Sequence, residues 1–153
     1  MPTHAEKREL PYPPEDLYAL VSDIEKYPDF LPWCMGLRVR KRDIHVITAD
    51  MIIGFKVFRE KFTTRVTLEP KSRIDVEYLN GPFKYLNNHW IFLPVGEDRC
   101  EIDFFVDFEF KSVILQKAIG VVFNEAVQKM INAFETRAHQ VYGATKDSGP
   151  SGD

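Results

Sequence analysis

Glu60, Thr64 and Arg137 stand where the surrounding pattern asks for apolar side chains. In the run from Phe58 to Leu68, Phe58, Phe62, Val66 and Leu68 share one face of an alternating strand. Arg59, Lys61, Thr63, Arg65 and Thr67 share the other, and Glu60 and Thr64 fall in the apolar phase. Arg137 lies inside the apolar stripe of a helical run. A carboxylate or guanidinium turned toward an apolar interior must be paired, because burying a lone charge is costly. Two readings follow. Glu60 and Arg137 pair as a structural bridge, or Arg137 reaches solvent over a buried stem. Alternatively, Glu60 or Thr64 hydrogen-bonds the polar end of a ligand in an apolar pocket.

Other chemistries have less to work with. Acid–base catalysis asks for a paired acid and base in one cavity, and Glu60 has no credible histidine partner. His89 is out of phase with its neighbour Trp90 and is expected to face solvent. His4, His45, His89 and His139 show no ligand spacing, so no metal site is expected. Cys34 and Cys100 form no CxxC motif and suggest a reducing compartment or two buried thiols. A net charge of −3 and a pI near 5.8 argue against a general nucleic-acid binder and give no reason to expect DNA as a partner.

The elements that must position these residues can be read in order. Thr3 to Leu10 is a polar strand ended by Pro11, Pro13 and Pro14. Pro14, followed by acidic Glu15 and Asp16, suits the first turn of a helix burying Leu17, Leu20, Val21 and Ile24. The octet Tyr27 to Cys34 carries two prolines and three rings, and reads as a packed helix-to-sheet connection. Gly36–Asp43 and Ile44–Phe55 read as two strands, then Phe58–Leu68, a strand with Ile74, Val76 and Tyr78 inward, and Leu86–Val95. Cys100, Ile102, Phe104, Val106, Phe108 and Phe110 alternate with polar residues, broken only by Phe105. From Ser112 to Val141 the spacing is that of an amphipathic helix, capped by Ser112 and ended by Gly143. Leu115, Ile119, Val122, Phe123, Ala126, Val127, Met130 and Phe134 share its stripe.

Hairpin-length connections make the sheet antiparallel. The expectation is an α+β fold in one domain over residues 1–143, a curved sheet of about six or seven strands around one long C-terminal helix. Residues 144–153 read as a disordered tail. No run reaches the roughly 18 apolar residues needed to span a bilayer. The start of the chain reads without a leader, which suits a cytoplasmic bacterial protein, at most peripheral on the inner face of the cell membrane.

This order resembles the helix-grip fold of the START and polyketide-cyclase-like superfamily. Within it, Tyr27-Pro28-Asp29-Phe30-Leu31-Pro32-Trp33-Cys34, Gly54-Phe55, Glu60 to Val66 and Gly81-Pro82-Phe83 resemble the coenzyme Q-binding START-domain family. A related pattern is that of the bacterial ribosome-association toxin. The resemblance implies a non-catalytic protein that binds ubiquinone or a related polyprenyl lipid and supports respiratory electron transport or quinone biosynthesis. It implies no catalytic cofactor. On the ligand reading, Glu60 or Thr64 would meet a quinone carbonyl or methoxy oxygen.

The expected cavity wall is Met51, Ile53, Phe58, Glu60, Phe62, Thr64, Val66, Tyr78, Trp90, Phe92, Phe104, Val106 and Phe108 from the sheet. The long helix adds Ile119, Val122, Phe123, Ala126, Val127 and Met130, with Gly120 and Ala126 leaving room. Phe30, Trp33, Pro82, Phe83 and Val121 form the expected entrance, touching a membrane. Two alternatives remain: a ribosomal contact through the alternating Arg38, Arg40 and Arg42, and a cyclase-like enzyme.

Overall fold

The computed structural model describes residues 3–31, 33–55 and 58–143. Pro32 of the ring-rich octet and the 144–153 stretch therefore lie outside the described residues. The chain opens with strand β1 (Thr3–Leu10) and helix α1 (Pro14–Ser22). A 3-10 turn (Ile24–Lys26) leads into the short helix α2 (Tyr27–Phe30). Six strands follow: β2 (Cys34–Arg42), β3 (Val46–Phe55), β4 (Phe58–Glu69), β5 (Arg73–Asn80), β6 (Phe83–Pro94) and β7 (Cys100–Phe110). The long helix α3 (Val113–Ala138) ends in a π turn over His139–Gly143.

The strands form a single antiparallel sheet in the order β1-β7-β6-β5-β4-β3-β2. Helices α1 and α2 carry the chain from one edge to the other, and a six-stranded meander brings it back beside β1. Register shifts at Cys34/Gly36, Val39/Lys41, Thr63/Thr64 and Phe83/Tyr85 bend the strands that carry them. The result is the helix-grip architecture: a curved seven-stranded sheet around α3.

Local chemistry explains the element ends. Pro14 opens α1, with Glu15 and Asp16 in its first turn, and Leu17 and Val21 are buried. The Ser112 side chain accepts a hydrogen bond from the Leu115 amide at 3.2 Å and caps α3. β6 begins at Phe83, three residues earlier than the alternation suggests. There the Phe83 amide donates to the Tyr78 hydroxyl at 3.0 Å, and its ring enters the core. Gly81 turns the chain between β5 and β6 with φ +147°. A Cβ there would lie 2.6 Å from Phe62 Cβ, so this turn rests directly on the inner wall.

On the outer face, Asp50 of β3 ties three strands together. Its carboxylate accepts from Thr63 Oγ1 of β4 and from Arg40 Nε of β2, each at 2.6 Å. The Thr63 hydroxyl foremost, and then the Arg40 guanidinium, hold this carboxyl below the usual carboxylate range. A carboxyl lowered on folding stabilises the fold above its unfolded value, about 3.9, and that contribution is lost as pH falls through the folded value. Asp50→Ala is therefore expected to lower stability by about 1.5–3 kcal/mol at neutral pH. The gap from wild type should narrow as pH falls below about 3.9. Urea denaturation of both proteins across that range measures it.

Candidate functional site

The concave face of the sheet does not close onto α3. Between them lies a cavity of about 230 Å³. Its wall draws on β2 (Leu37), β3 (Ala49, Met51, Ile53, Gly54), β4 (Glu60, Phe62, Thr64, Val66), β5 (Ile74, Val76), β6 (Phe83, Leu86, Asn88, Trp90) and β7 (Phe104, Val106, Phe108, Phe110). Helix α3 contributes Ile119, Phe123, Ala126, Val127, Met130 and Phe134, and the crossing segment contributes Ile24, Tyr27 and Trp33. Each strand points alternate residues inward, so the wall is apolar wherever the alternation is clean.

Two ring clusters bound this space. Phe134 of α3 packs edge-on to Trp90 at 5.0 Å, Phe30 at 5.3 Å and Tyr27 at 5.5 Å. Phe83 meets Phe62 at 5.2 Å, Tyr78 at 5.4 Å and Phe108 at 5.5 Å, and stacks on Phe110 at 4.6 Å. Phe123 of α3 joins that second cluster through Phe108 at 5.5 Å. Ile119, Ala126 and Met130 are only half-buried because they face the cavity instead of the sheet.

The expected wall residues Met51, Ile53, Glu60, Phe62, Thr64, Val66, Trp90, Phe104, Val106, Phe108, Ile119, Phe123, Ala126 and Met130 all line this space. Three do not. Phe92 shares the inward phase but lies further along β6, buried beneath α1 with Tyr18 edge-on at 5.9 Å. Tyr78 is occupied by the Phe83 ring and amide. Val122 is half-buried on the flank of α3 and lines no part of the cavity. Phe58 opens β4, but its side chain lies outside the described set. Gly120 leaves no room inside, because it is exposed with nothing within 4 Å of a Cβ.

The expected entrance residues are also dispersed. Trp33 and Phe83 both line the cavity, and Phe83 is 2% exposed at the heart of its ring cluster and not at an opening. Phe30 is engaged by Phe134, and the Pro82 carbonyl accepts from the Lys111 amide at 2.8 Å. Val121 is 85% exposed on the outer side of α3. Sequence reasoning passed over Ile24, Tyr27, Leu37, Ala49, Gly54, Ile74, Val76, Leu86, Asn88, Phe110 and Phe134 as wall residues. Asn88 was discoverable, since it sits two residues before Trp90 in the same phase.

The polar groups in the wall differ in how they are engaged. Tyr27 donates its hydroxyl to the Val21 carbonyl, and burial pushes its pKa up. Asn88 Nδ2 donates to the Phe105 carbonyl at 2.8 Å. Thr64 is 2% exposed. Among the described residues, no ion pair or hydrogen bond takes up the Glu60 carboxylate. Arg137 does not pair with it: its guanidinium sits 5.2 Å from the centre of the Phe30 ring, a cation–π seat. His89 lies on the outer face, stacked on Phe105 at 5.3 Å, which accounts for the one ring in the polar phase of β7. Burial pushes the thiols of Cys34 and Cys100 up to about 11, so neither is a ready nucleophile at neutral pH.

Known proteins place this geometry. A family model described as polyketide cyclase / dehydrase and lipid transport matches residues 10–135. A protein named ribosome association toxin RatA, from Rickettsia prowazekii, is 41% identical over 136 residues, covering 86% of this chain and 92% of its own. The mitochondrial coenzyme Q-binding protein COQ10 homolog B of Xenopus laevis is 31% identical over 144 residues, covering 92% of this chain and 59% of its own. The solution structure of an 18 kDa protein from Caulobacter crescentus is 40% identical with a TM-score of 0.76, over 94% of this chain and 99% of that one. A START-like sheet gripping one long helix, matched by that model across most of its length, identifies the chain as a member of the polyketide cyclase / dehydrase and lipid transport family.

Proposed function

We propose that this protein binds a prenylated quinone of the ubiquinone type in the cavity between sheet and α3, as a lipid-binding or chaperoning protein and not as an enzyme. The observation that carries the reading is the cavity itself: apolar, about 230 Å³, and walled mainly by rings and aliphatic side chains. The name of the Xenopus relative, a coenzyme Q-binding protein, supports it. Apolar burial alone supplies affinity, at about 0.8 kcal/mol for each CH₂ removed from water. The volume lies below the roughly 300–1,000 Å³ of sites that enclose a drug-sized ligand. It suits a ring with its first isoprene units, and a long tail must leave the cavity. Among the described wall residues there is one carboxylate and no histidine, which is a poor set for acid–base work.

Outside the cavity, α3 carries an exposed apolar stretch suited to a lipid surface. Val113, Ile114 and Val121 are exposed on the first half of the helix, with Ile114 at 80% and Val121 at 85%. Exposed Lys111 and Lys117 flank them, matching an anionic lipid surface. No helix among the described residues is long and apolar enough to cross a membrane, so the contact is peripheral.

A second reading, association with a ribosomal subunit, is favoured by the name of the 41% identical relative. The expected basic face supports it less, because Arg40 pairs with Asp50 and Arg42 with Glu25 at 2.7 Å.

Both tryptophans of the chain, Trp33 and Trp90, line the cavity and serve as built-in probes. A short-tailed ubiquinone is expected to quench their fluorescence saturably. Ala126→Trp, which fills the space beside α3, should weaken that binding by about tenfold or more while leaving the unfolding transition cooperative. Absence of quenching by both the quinone and its quinol in the wild type would remove the quinone reading. Co-sedimentation with anionic liposomes is expected to fall for Val121→Glu, with quinone binding in solution unchanged. Equal sedimentation counts against the membrane contact. In sucrose gradients the protein is expected to stay at the top, and a shift with one ribosomal subunit would favour the second reading.

A further inference from the structure

We infer that the cavity selects rings bearing a free hydroxyl, the reduced quinol or a prenylated phenol, over the oxidised quinone, and that Glu60 makes the distinction. The inference rests on the proposed quinone-type ligand and names which form of it the site prefers. Glu60 lies in the inward phase of β4, paired across the ladder with Ile53, and lines the cavity. No described side chain neutralises it or donates to it, since Arg137 is seated on Phe30. The other polar wall groups are Thr64, Asn88, Tyr27 and the indole N–H groups of Trp33 and Trp90, and of these Asn88 and Tyr27 already donate to backbone carbonyls.

The chemistry then turns on donors and acceptors. An ionised carboxylate only accepts hydrogen bonds. A ubiquinone ring carries carbonyl and methoxy oxygens, which also only accept, so the oxidised ring sets lone pairs against the Glu60 oxygens. A Glu60 contact to a quinone carbonyl would require a protonated carboxyl. Reduction turns both carbonyls into hydroxyls, and each can donate to a carboxylate in a charge-assisted bond, about twice as strong as a neutral one. Thr64 cannot substitute on the same ring edge. It lies four residues along the strand, about 13 Å away at roughly 3.3 Å per residue, with Phe62 between them.

The test compares a short-tailed ubiquinone, its quinol and the quinol's dimethyl ether, each titrated anaerobically against Trp33 and Trp90 fluorescence. In the wild type the quinol is expected to bind about tenfold or more tighter than the quinone, with the ether, which has lost its donors, falling near the quinone. Because a bound two-electron couple shifts by about 30 mV per tenfold preference, its midpoint potential should rise by at least that amount. Glu60→Gln can donate as well as accept. It should weaken quinol binding and strengthen quinone binding, bringing the two within about threefold. A prenylated phenol with one hydroxyl separates the sources: binding as tight as the quinol makes one hydroxyl sufficient, and weaker binding makes the fully reduced quinone the ligand. Wild type that binds quinone as tightly as quinol overturns the inference while leaving the lipid reading intact. Failure of both to bind overturns the lipid reading itself. Should Glu60→Gln fail to fold, the comparison of ether with quinol in the wild type decides alone.

Discussion

Everything here depends on how few places the long helix touches the sheet. Of α3, only Phe123, Val127, Phe134 and Ala138 are buried. Phe134 is held among Tyr27, Phe30 and Trp90 toward one end, and Phe123 meets Phe108 toward the other. Aromatic pairs prefer edge-to-face contact, so rings meeting this way fix both spacing and angle. Between the two anchors the sheet curves away, and Ala126 and Met130 face the hollow, as does Ile119 one turn before Phe123. Two anchors and an intervening arch determine the cavity.

Much of this was legible in the residues, for a definite reason. Where one face is buried and the other wet, alternation reports orientation, and β4 and β7 are such strands. Period alone turns Phe62, Val66, Phe104 and Phe108 inward, the side on which the structure has them, and Ser112 caps the start of α3. Period says nothing about position along a strand. Phe92 and Tyr78 point inward as read, yet one meets α1 and the other meets Phe83. Likewise a helical wheel ranks faces, but it cannot say how wide a stripe the sheet covers, so Val122 and Gly120 were assigned to the interior. The partner of Arg137 was beyond reach, because its seat on Phe30 joins the octet to the end of α3 across more than a hundred residues.

The polar exceptions proved more informative than the apolar majority. Glu60 and Thr64 break an otherwise clean apolar phase, and both face the hollow. Asn88 does the same on β6, yet its amide is engaged with the Phe105 carbonyl, so the interruption is partly structural. The contrast between Asn88, held by its neighbours, and Glu60, held by none of the described ones, separates a scaffold amide from a group that can address a ligand. Sequence pattern alone treats the two alike.

The sheet also divides its labour by face. Outward residues carry the ion pairs Arg65–Glu77, Arg73–Asp75 and Lys84–Glu109, together with the Asp50 tie across β2, β3 and β4. Inward residues carry the wall. Because neighbouring positions on one strand belong to opposite faces, a wall residue can be exchanged without replacing a residue of the outer fastening. A lineage can thus resculpt the interior one side chain at a time while its exterior continues to hold the arch. The same scaffold can in this way drift from one guest to another without passing through an unfolded ancestor.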